Sequence, residues 1–250
     1  CNKLLNSNYS RMNDLVTVII PTYNRFSYLL NAIASVKAQT YPNIELIIVN
    51  DRSTETEYYN YEFKDCIVIH MEINSKKRFG KASPGGFQRS VGMKIANGNY
   101  IAFLDDDDVW FPEKIEKQLL KMKLTQCGMS CTDGLFGVGV YNKDKQYVIY
   151  NEVKFKNIIK QIFNRKKKGS LMKNGFPDIW NEEFMNVHNC CIASSIMIEK
   201  KIIDKVGYFS NKHYAPDYDY WIRSIKHTDC VFVREPLMYY DAGHGNGQLY

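Results

Sequence analysis

Short apolar runs alternate with helix-like patterns through the first 110 residues of the chain. Three runs rich in β-branched residues have the composition of buried strands: 16–20, 46–49 and 66–71. Apolar residues recur at helical spacing over 26–39 and 86–96, and a fourth apolar run, 100–104, follows an Asn-Gly turn. Strands that alternate with helices predict an α/β fold with a parallel sheet and right-handed crossovers.

The second half of the chain has a less regular pattern. A helix is predicted from Pro112 to about residue 124, and strand and turn material over 128–150. The later predicted elements are a basic helix within 151–187, a strand over 193–198, a helix over 214–226 and two strands over 231–233 and 237–240.

Composition narrows the class of protein. The chain is 45% apolar and 24% charged, as in ordinary globular proteins. It has no apolar run near the roughly 20 residues of a membrane span and no signal-peptide pattern, so we expect a cytoplasmic protein, with peripheral membrane contact left open. The seven cysteines show neither metal-binding nor disulfide spacing, which favours reduced thiols.

The charge balance is mildly basic. The net charge is +6, and the basic residues cluster at 165–168 (RKKK). This run is typical of an exposed loop rather than a nucleic-acid groove, so no nucleic-acid partner is expected. An anionic acceptor or a membrane surface is the alternative reason for the run.

Four consecutive aspartates, Asp105 to Asp108, follow the apolar run 100–104. Polar groups at 21–25 and 50–53 also stand at strand ends, and the carboxyl ends of parallel strands meet at the edge where ligands bind. Neighbouring carboxylates repel one another, and hard oxygen ligands suit Mg²⁺ or Mn²⁺ bound together with substrate phosphates. The pattern predicts a nucleoside-diphosphate and metal site. A solvated acidic turn, with Asp108 capping the next helix, is the alternative.

Four segments, in this order, resemble the motifs of family 2 glycosyltransferases, which have the GT-A fold. They are 18–25 (VIIPTYNR), 47–53 (IIVNDRS), 89–110 with its DxD motif in the acidic run, and 206–223. The acidic motif alone is a weak signal, but four motifs in register over 16–226 are specific. The resemblance implies a Rossmann-like, mostly parallel sheet with flanking helices.

The resemblance also implies a domain organisation. We expect a flexible leader over 1–14 and a single GT-A domain over 15–250, since the chain shows no repeat and no linker. Within the domain, 15–110 would form the nucleotide-sugar-binding half and 111–250 the acceptor-binding half.

The resemblance assigns the donor side of the site residue by residue. Nucleotide contacts fall to eight positions: Pro21, Thr22, Tyr23, Arg25, Asp51, Arg89, Asp105 and Asp106. Asp51 would accept a hydrogen bond from uracil N3–H, which favours UDP over GDP or dTDP. Asp107 is the expected metal ligand, with Asp105 shared between ribose and metal. His244 is a further candidate metal ligand, and His188 is the alternative to it.

On the acceptor side the resemblance implies that Asp217 is the general base. Pro216 stands where the family commonly has an acidic residue, and Asp219, two residues after Asp217, is a rival base. An aspartate in a first helical turn also has a purely structural use, because it stabilises the helix dipole. Aromatic residues that could stack on sugar faces are Trp180, Tyr214 and Trp221, although the spacing of Trp221 favours the core.

These assignments together imply a metal-dependent, inverting transfer of a sugar from a UDP-sugar to a hydroxyl of a glycan, lipid-linked or protein acceptor. Mn²⁺ or Mg²⁺ would be the cofactor. A sugar nucleotidyltransferase should show a glycine-rich, basic loop after the first strand, where this chain has Pro21-Thr22-Tyr23-Asn24. An inactive scaffold that binds nucleotide sugars is the other alternative.

Overall fold

The computed structural model describes residues 13–80, 85–210 and 215–244, without the side chain of His244. Most of the predicted leader, Tyr214 and the metal-binding prediction for His244 therefore lie outside the described residues.

The described residues form ten strands. They are β1 (Val16–Thr22), β2 (Ile44–Asn50), β3 (Ile67–His70), β4 (Tyr100–Phe103), β5 (Val109–Trp110), β6 (Met129–Gly137), β7 (Val148–Ile149), β8 (Ile179–Trp180), β9 (Met197–Glu199) and β10 (Cys230–Asp241).

The α-helices lie mainly between these strands. They are α1 (Phe26–Lys37), α2 (Glu57–Asn60), α3 (Ser75–Phe79), α4 (Gly86–Ile95), α5 (Lys114–Thr125), α6 (Lys156–Arg165), α7 (Glu182–Met185), α8 (Lys200–Val206) and α9 (Pro216–Ile225). A π-helix over Tyr150–Phe155 leads directly into α6, and short 3₁₀ turns occupy Gly169–Met172, Ala193–Ser195 and Ala242–His244.

The strands form one sheet in the order β3-β2-β1-β4-β9-β6-β10-β5, with β7 paired to β6 and β8 to β10. The first four strands of the chain are parallel, and their register sets Thr22 beside Asn50. β9 runs antiparallel to both β4 and β6 and joins this unit to the parallel pair of β6 and β10. The carboxyl ends of β1, β2 and β4 therefore lie along one edge, as predicted.

Two apolar clusters cover the two faces of the sheet. Because strand side chains alternate between faces, Val18 and Ile20 pack with α1 and α5, whereas Ile19 packs with α4 and α9. These three side chains are fully buried. Burial of one such aliphatic side chain contributes about 1.5–3 kcal/mol, so the β-branched runs hold both helical layers on the sheet.

Two predicted elements differ from the structure. The predicted strand over 193–198 is a 3₁₀ turn followed by the short antiparallel β9, because a buried apolar run carries no information about strand direction. The two late strands predicted over 231–233 and 237–240 are one strand, β10, whose register against β6 shifts around Pro236. Proline lacks the N–H that a regular ladder requires, which explains the shift.

Two further observations on the described residues concern disulfide bonds and membrane-spanning helices. The six cysteines between residues 66 and 230 are free thiols. Among the described helices, none has the length and apolarity that crossing a bilayer requires.

Candidate functional site

The loops after β1 and β2 are tied to each other at the edge of the sheet. The Asn24 backbone N–H donates to Ser53 Oγ at 2.9 Å, and the Thr54 N–H donates to Asn24 Oδ1 at 2.7 Å. Asn24 and Arg52 have φ values of 47° and 62°, in the left-handed region that asparagine tolerates better than most residues. The polar groups predicted at 21–25 and 50–53 therefore form one connected wall.

Tyr58, which the sequence analysis did not single out, supports this wall from behind. Its hydroxyl lies 2.6 Å from Thr22 Oγ1 and accepts a hydrogen bond from the Arg25 N–H at 3.0 Å. Burial raises the pKa of Tyr58 to about 12, so the phenol stays protonated and neutral. Thr22 and the backbone of Arg25 are consequently fixed in place before any ligand binds.

Asp51 is fully buried at the end of β2, and its carboxylate is already engaged by the protein. It accepts hydrogen bonds from the Ser75 N–H at 2.8 Å, Ser75 Oγ at 2.7 Å and Asn74 Nδ2 at 3.1 Å. Asn74 also caps α3 through the Lys76 N–H at 3.0 Å, the one signal by which this partner could have been found in the sequence. The contact of Asp51 with a uracil base stays a prediction.

Two arginines pair with the acidic run. Arg25 Nη1 donates to Asp107 Oδ2 at 2.8 Å and to Asp106 Oδ1 at 3.2 Å, and Arg89 Nη2 pairs with Asp105 Oδ1. The Tyr23 N–H donates to Asp106 Oδ2 at 3.4 Å. The loop after β1, the helix α4 and the end of β4 thus meet through these carboxylates.

Gly85 permits this position of Arg89. It precedes α4 with φ of +66°, and a Cβ atom there would lie 2.5 Å from Arg89 Nη1. A side chain at residue 85 would push the guanidinium away from Asp105, so the glycine is needed for both backbone and space.

Asp108 does not cap a helix, so that alternative is wrong. α5 begins six residues later, and the buried Asp108 carboxylate accepts a hydrogen bond from the Asp241 N–H at 2.9 Å. Its second oxygen is buried with no hydrogen-bond partner among the described residues. Asp108 therefore fastens the loop after β4 to the end of β10.

The acidic run carries more negative charge than its arginines neutralise. Burial raises the pKa of Asp106 to about 6, against the lowering effect of Arg25. Burial, followed by repulsion from the neighbouring carboxylates, raises the pKa of Asp107 and of Asp108 well above its ordinary value. Oxygen donors with surplus negative charge fit Mg²⁺ or Mn²⁺. No three acidic, histidine or cysteine side chains in the described ranges converge as a ready metal cage, so phosphate or water oxygens would have to complete the coordination.

Asp217 and Asp219 both lie in the first turn of α9 but have different partners. Asp217 Oδ2 accepts a hydrogen bond of 3.4 Å from Asn189 Nδ2, at the long end of the hydrogen-bond range. Asp219 Oδ2 forms a salt bridge of 3.0 Å with Arg223 Nε. Asp217 is thus the less strongly bonded of the two carboxylates.

The Asp217 turn and the acidic run border the same region. Pro216, at the start of α9, packs against Gly86 at the start of α4, three residues before Arg89. Both regions also act on Tyr150: burial raises its pKa to about 12, and after Cys190 and Asp133 the charges of Asp108 and Asp217 contribute to that rise. The start of α9, which carries the candidate base, therefore adjoins the start of α4, which carries Arg89.

Several predicted residues take other positions. Trp180 and Trp221 are fully buried, and Trp180 stacks on Phe232 with ring centroids 4.7 Å apart, so neither tryptophan can stack on a sugar in this structure. Pro21 is buried within β1 beside Val49. His188 is half-buried, and burial with the nearby Lys166 lowers its pKa, which favours a neutral imidazole.

Comparison with known proteins gives separate evidence on the class of protein. The sequence profile described as "Glycosyl transferase family 2" matches residues 17–205. An uncharacterized glycosyltransferase of Rickettsia typhi is 30% identical over 238 residues, which are 90% of this chain and 63% of that protein. This chain thus spans less than two-thirds of that relative.

Two solved structures share the fold. S. aureus TarS 1-349 in complex with UDP-GlcNAc has a TM-score of 0.61 and 16% identity, covering 91% of this chain and 58% of its own. The mannosyltransferase PcManGT from Pyrobaculum calidifontis, in complex with GDP-Man and Mn²⁺, has a TM-score of 0.62 and 11% identity, covering 96% and 64%. The fold is that of the GT-A glycosyltransferases, as predicted. The chain belongs to glycosyltransferase family 2.

Asp107→Asn is expected to stabilise the metal-free protein at pH 7.5 by about 1–2 kcal/mol, because it removes a buried and repelled charge. The pKa of Asp107 is higher in the folded than in the unfolded chain. Protonation therefore favours the folded wild type at low pH, and this stabilisation is lost as pH rises through the folded-state pKa. Wild type and variant should converge near pH 4, where the unfolded carboxyl also binds its proton.

Urea unfolding between about pH 4 and 8 measures this difference. Asp144→Asn, at an exposed position between β6 and β7, is the matched control and should show no such pH dependence. A variant less stable than wild type at every pH would mean that the pairing of Asp107 with Arg25 outweighs the repulsion.

Proposed function

We propose that this chain is the catalytic domain of a metal-dependent, inverting glycosyltransferase. It moves a sugar from a UDP-sugar to a hydroxyl of a glycan, lipid-linked or protein acceptor, with 15–110 as the nucleotide-sugar-binding half and 111–250 as the acceptor-binding half. The observation that carries the proposal is an incompletely neutralised acidic run at the edge of the sheet, together with the lightly bonded Asp217 carboxylate on a helix whose start packs against the start of α4.

The nucleotide is bound against the wall formed by the loops after β1 and β2. Pro21 and Thr22, buried at the end of β1, support the site from behind, Tyr23 and Arg25 line it, and Asp51 binds the base. The hydrogen bonds from Asn74 and Ser75 hold the Asp51 carboxylate at the end of β2, where it would face the base. The TarS complex with UDP-GlcNAc supports UDP, whereas the PcManGT complex with GDP-Man shows that the fold also serves another base.

Asp107 and Asp105 hold the divalent cation, and Asp106 supports them from a more buried position. The cation supplies Lewis-acid stabilisation of the charge that develops on the leaving diphosphate. Arg25 and Arg89, which pair with these carboxylates in the ligand-free protein, then face the diphosphate. The PcManGT complex with Mn²⁺ supports manganese as the metal.

Asp217 removes the proton from the acceptor hydroxyl as that oxygen bonds to the anomeric carbon of the donor sugar. Displacement of the nucleotide from the opposite side in one step inverts the anomeric configuration. Asp219 is the weaker candidate, because its carboxylate is already engaged in a salt bridge with Arg223. An inactive scaffold would bind the donor in the same way without this proton transfer.

The donor site is tested by thermal stability with UDP, GDP, dTDP and CMP, each with and without Mn²⁺. UDP with Mn²⁺ at about 100 times its dissociation constant should add about 2.7 kcal/mol of stability. For a chain of this size that is a rise in melting temperature of about 5–10 °C. Asp107→Ala should abolish the rise and Asp144→Asn should keep it. If no nucleotide raises the melting temperature with any metal, the proposed function is wrong.

Arg25→Gln should separate metal binding from nucleotide binding. The Arg25 guanidinium pairs with Asp107, a candidate metal ligand, and with Asp106 beside it, so its removal should strengthen Mn²⁺ binding to the nucleotide-free protein about tenfold. The same change should weaken UDP binding in the presence of Mn²⁺, since a diphosphate partner is lost. Electron paramagnetic resonance of free Mn²⁺ measures the first effect. Arg165→Gln is the control, because Arg165 has no carboxylate partner among the described residues. Equal Mn²⁺ affinities of wild type and Arg25→Gln would show that Arg25 does not compete with the metal.

Asp217→Asn should lower the rate of sugar transfer by about 10²–10⁴-fold while leaving UDP binding with Mn²⁺ near the wild-type value. Asp219→Asn should cost far less. Release of UDP from a panel of UDP-sugars, with sugar and lipid-linked hydroxyl acceptors, measures both. A larger loss in the Asp219 variant would exchange the two roles, and a wild type that binds UDP but transfers nothing would favour the inactive scaffold.

A further inference from the structure

The positive charge of this protein is concentrated in one segment. Residues 152–173 contain eight lysines and arginines and one glutamate, out of 33 basic and 27 acidic residues in the whole chain. Outside this segment the two signs nearly cancel, with 25 basic and 26 acidic residues. The net charge of +6 is therefore a property of a single region, and we call its exposed side the basic face.

The basic face is built on the π-helix and α6. Ile159 and Phe163 of α6 are buried in the core, while Lys154, Ile158 and Arg165 are exposed on the other side. Their spacing aligns the exposed residues along the helix axis, and Lys166, Lys167 and Lys168 extend the row past its end. The segment is thus an amphipathic helix held on the protein by its apolar side.

Part of this charge is not used in internal ion pairs. Lys156 pairs with Glu152 and Lys168 with Glu183. Lys160, Arg165 and Lys167 form no salt bridge with any residue that the structure describes, and Lys154 has only the ring of Phe136 beneath its ammonium, 5.0 Å from the centroid. These four cations remain available to an external anion.

Exposed apolar side chains lie among the basic ones. Val153 is 56% exposed, Ile158 51% and Val148 44%. Val148 stands opposite Phe136 in the β6–β7 pairing, so it shares the face of the sheet on which Lys154 covers Phe136. The apolar and basic residues therefore form one continuous surface rather than two.

This surface also lies next to the acceptor side of the candidate active site. Lys166 Nζ donates to the Val187 carbonyl oxygen, and two residues later Asn189 donates to Asp217. The end of the basic face and the candidate base are thus joined through three consecutive residues, 187–189.

We propose that the basic face docks this protein onto an anionic lipid bilayer. Lysine and arginine attract the acidic headgroups, and exposed aliphatic side chains between them enter the boundary of the acyl chains. A soluble polyanion would be attracted by the same cations but would gain nothing from the exposed Val153 and Ile158. Docking in this way sets the acceptor side of the site beside the membrane surface, and it does not depend on whether transfer takes place.

The test is co-flotation of the 250-residue protein, without nucleotide, with two kinds of vesicle. One kind is phosphatidylcholine alone, and the other contains about 30% phosphatidylglycerol. Binding is expected to the anionic vesicles only, and to fall when salt is raised from about 0.1 M to about 1 M. The triple variant Lys154→Gln/Arg165→Gln/Lys167→Asn should lower the partition coefficient by a factor on the order of 100. Asparagine suits the positive φ of 59° at residue 167.

A control variant with the same net charge as the triple variant leaves the basic face unchanged. Lys121→Gln/Lys205→Gln/Lys226→Gln removes three exposed lysines that form no salt bridge among the described residues, and it should bind like wild type. Val153→Ser/Ile158→Ser tests the apolar contribution and should weaken binding several-fold. Melting temperatures verify that each variant is folded.

Three outcomes would overturn the proposal. The first is a wild type that does not prefer anionic vesicles, and the second is a control variant that loses as much binding as the triple variant. The third is binding that ignores the Val153 and Ile158 changes and is fully displaced by polyphosphate, which would identify a soluble polyanion as the partner. None of these results bears on the nucleotide measurements, so the two proposals fail separately.

Discussion

Four carboxylates in succession at the end of a buried strand are the electrostatic constraint to which the surrounding structure responds. Two like charges 4 Å apart repel by about 4 kcal/mol at the effective dielectric constant of a partly buried site. Three groups compensate part of this negative charge: Arg25 from the loop after β1, Arg89 from α4 and the Asp241 N–H at the end of β10. Parts of the chain distant in sequence are therefore fixed to one another by the need to compensate the same carboxylates.

That compensation is incomplete, and the uncompensated negative charge connects the structure to the proposed function. Burial, with repulsion among the carboxylates, raises the pKa of Asp106 and of Asp107 despite their ion pairs with Arg25. A binding site for a divalent cation and a diphosphate needs such a surplus, at the cost of some stability in the free protein. Hydrogen bonds between Tyr58 and Thr22 and from Ser75 to Asp51 hold the residues around the acidic run in place in the ligand-free protein.

The second half of the molecule contributes differently. It provides a carboxylate with few bonds, Asp217, and a separate basic face on an otherwise nearly neutral body. The two are linked through residues 187–189, which contact Lys166 at one end and Asp217 at the other. The family 2 profile matches 17–205 and so covers the acidic run but ends before Asp217.

Local signals in the chain were enough to predict the parallel half of the fold, because β-branched runs and helical spacing depend on neighbouring residues and the carboxyl ends of parallel strands share an edge. They also predicted the polar groups at that edge. Only the tertiary structure decided the antiparallel direction of β9, the burial of Trp180, the partner of Asp108 and the difference between Asp217 and Asp219. Each of these depends on contacts between residues far apart in the chain, and a single sequence does not record which distant groups will meet.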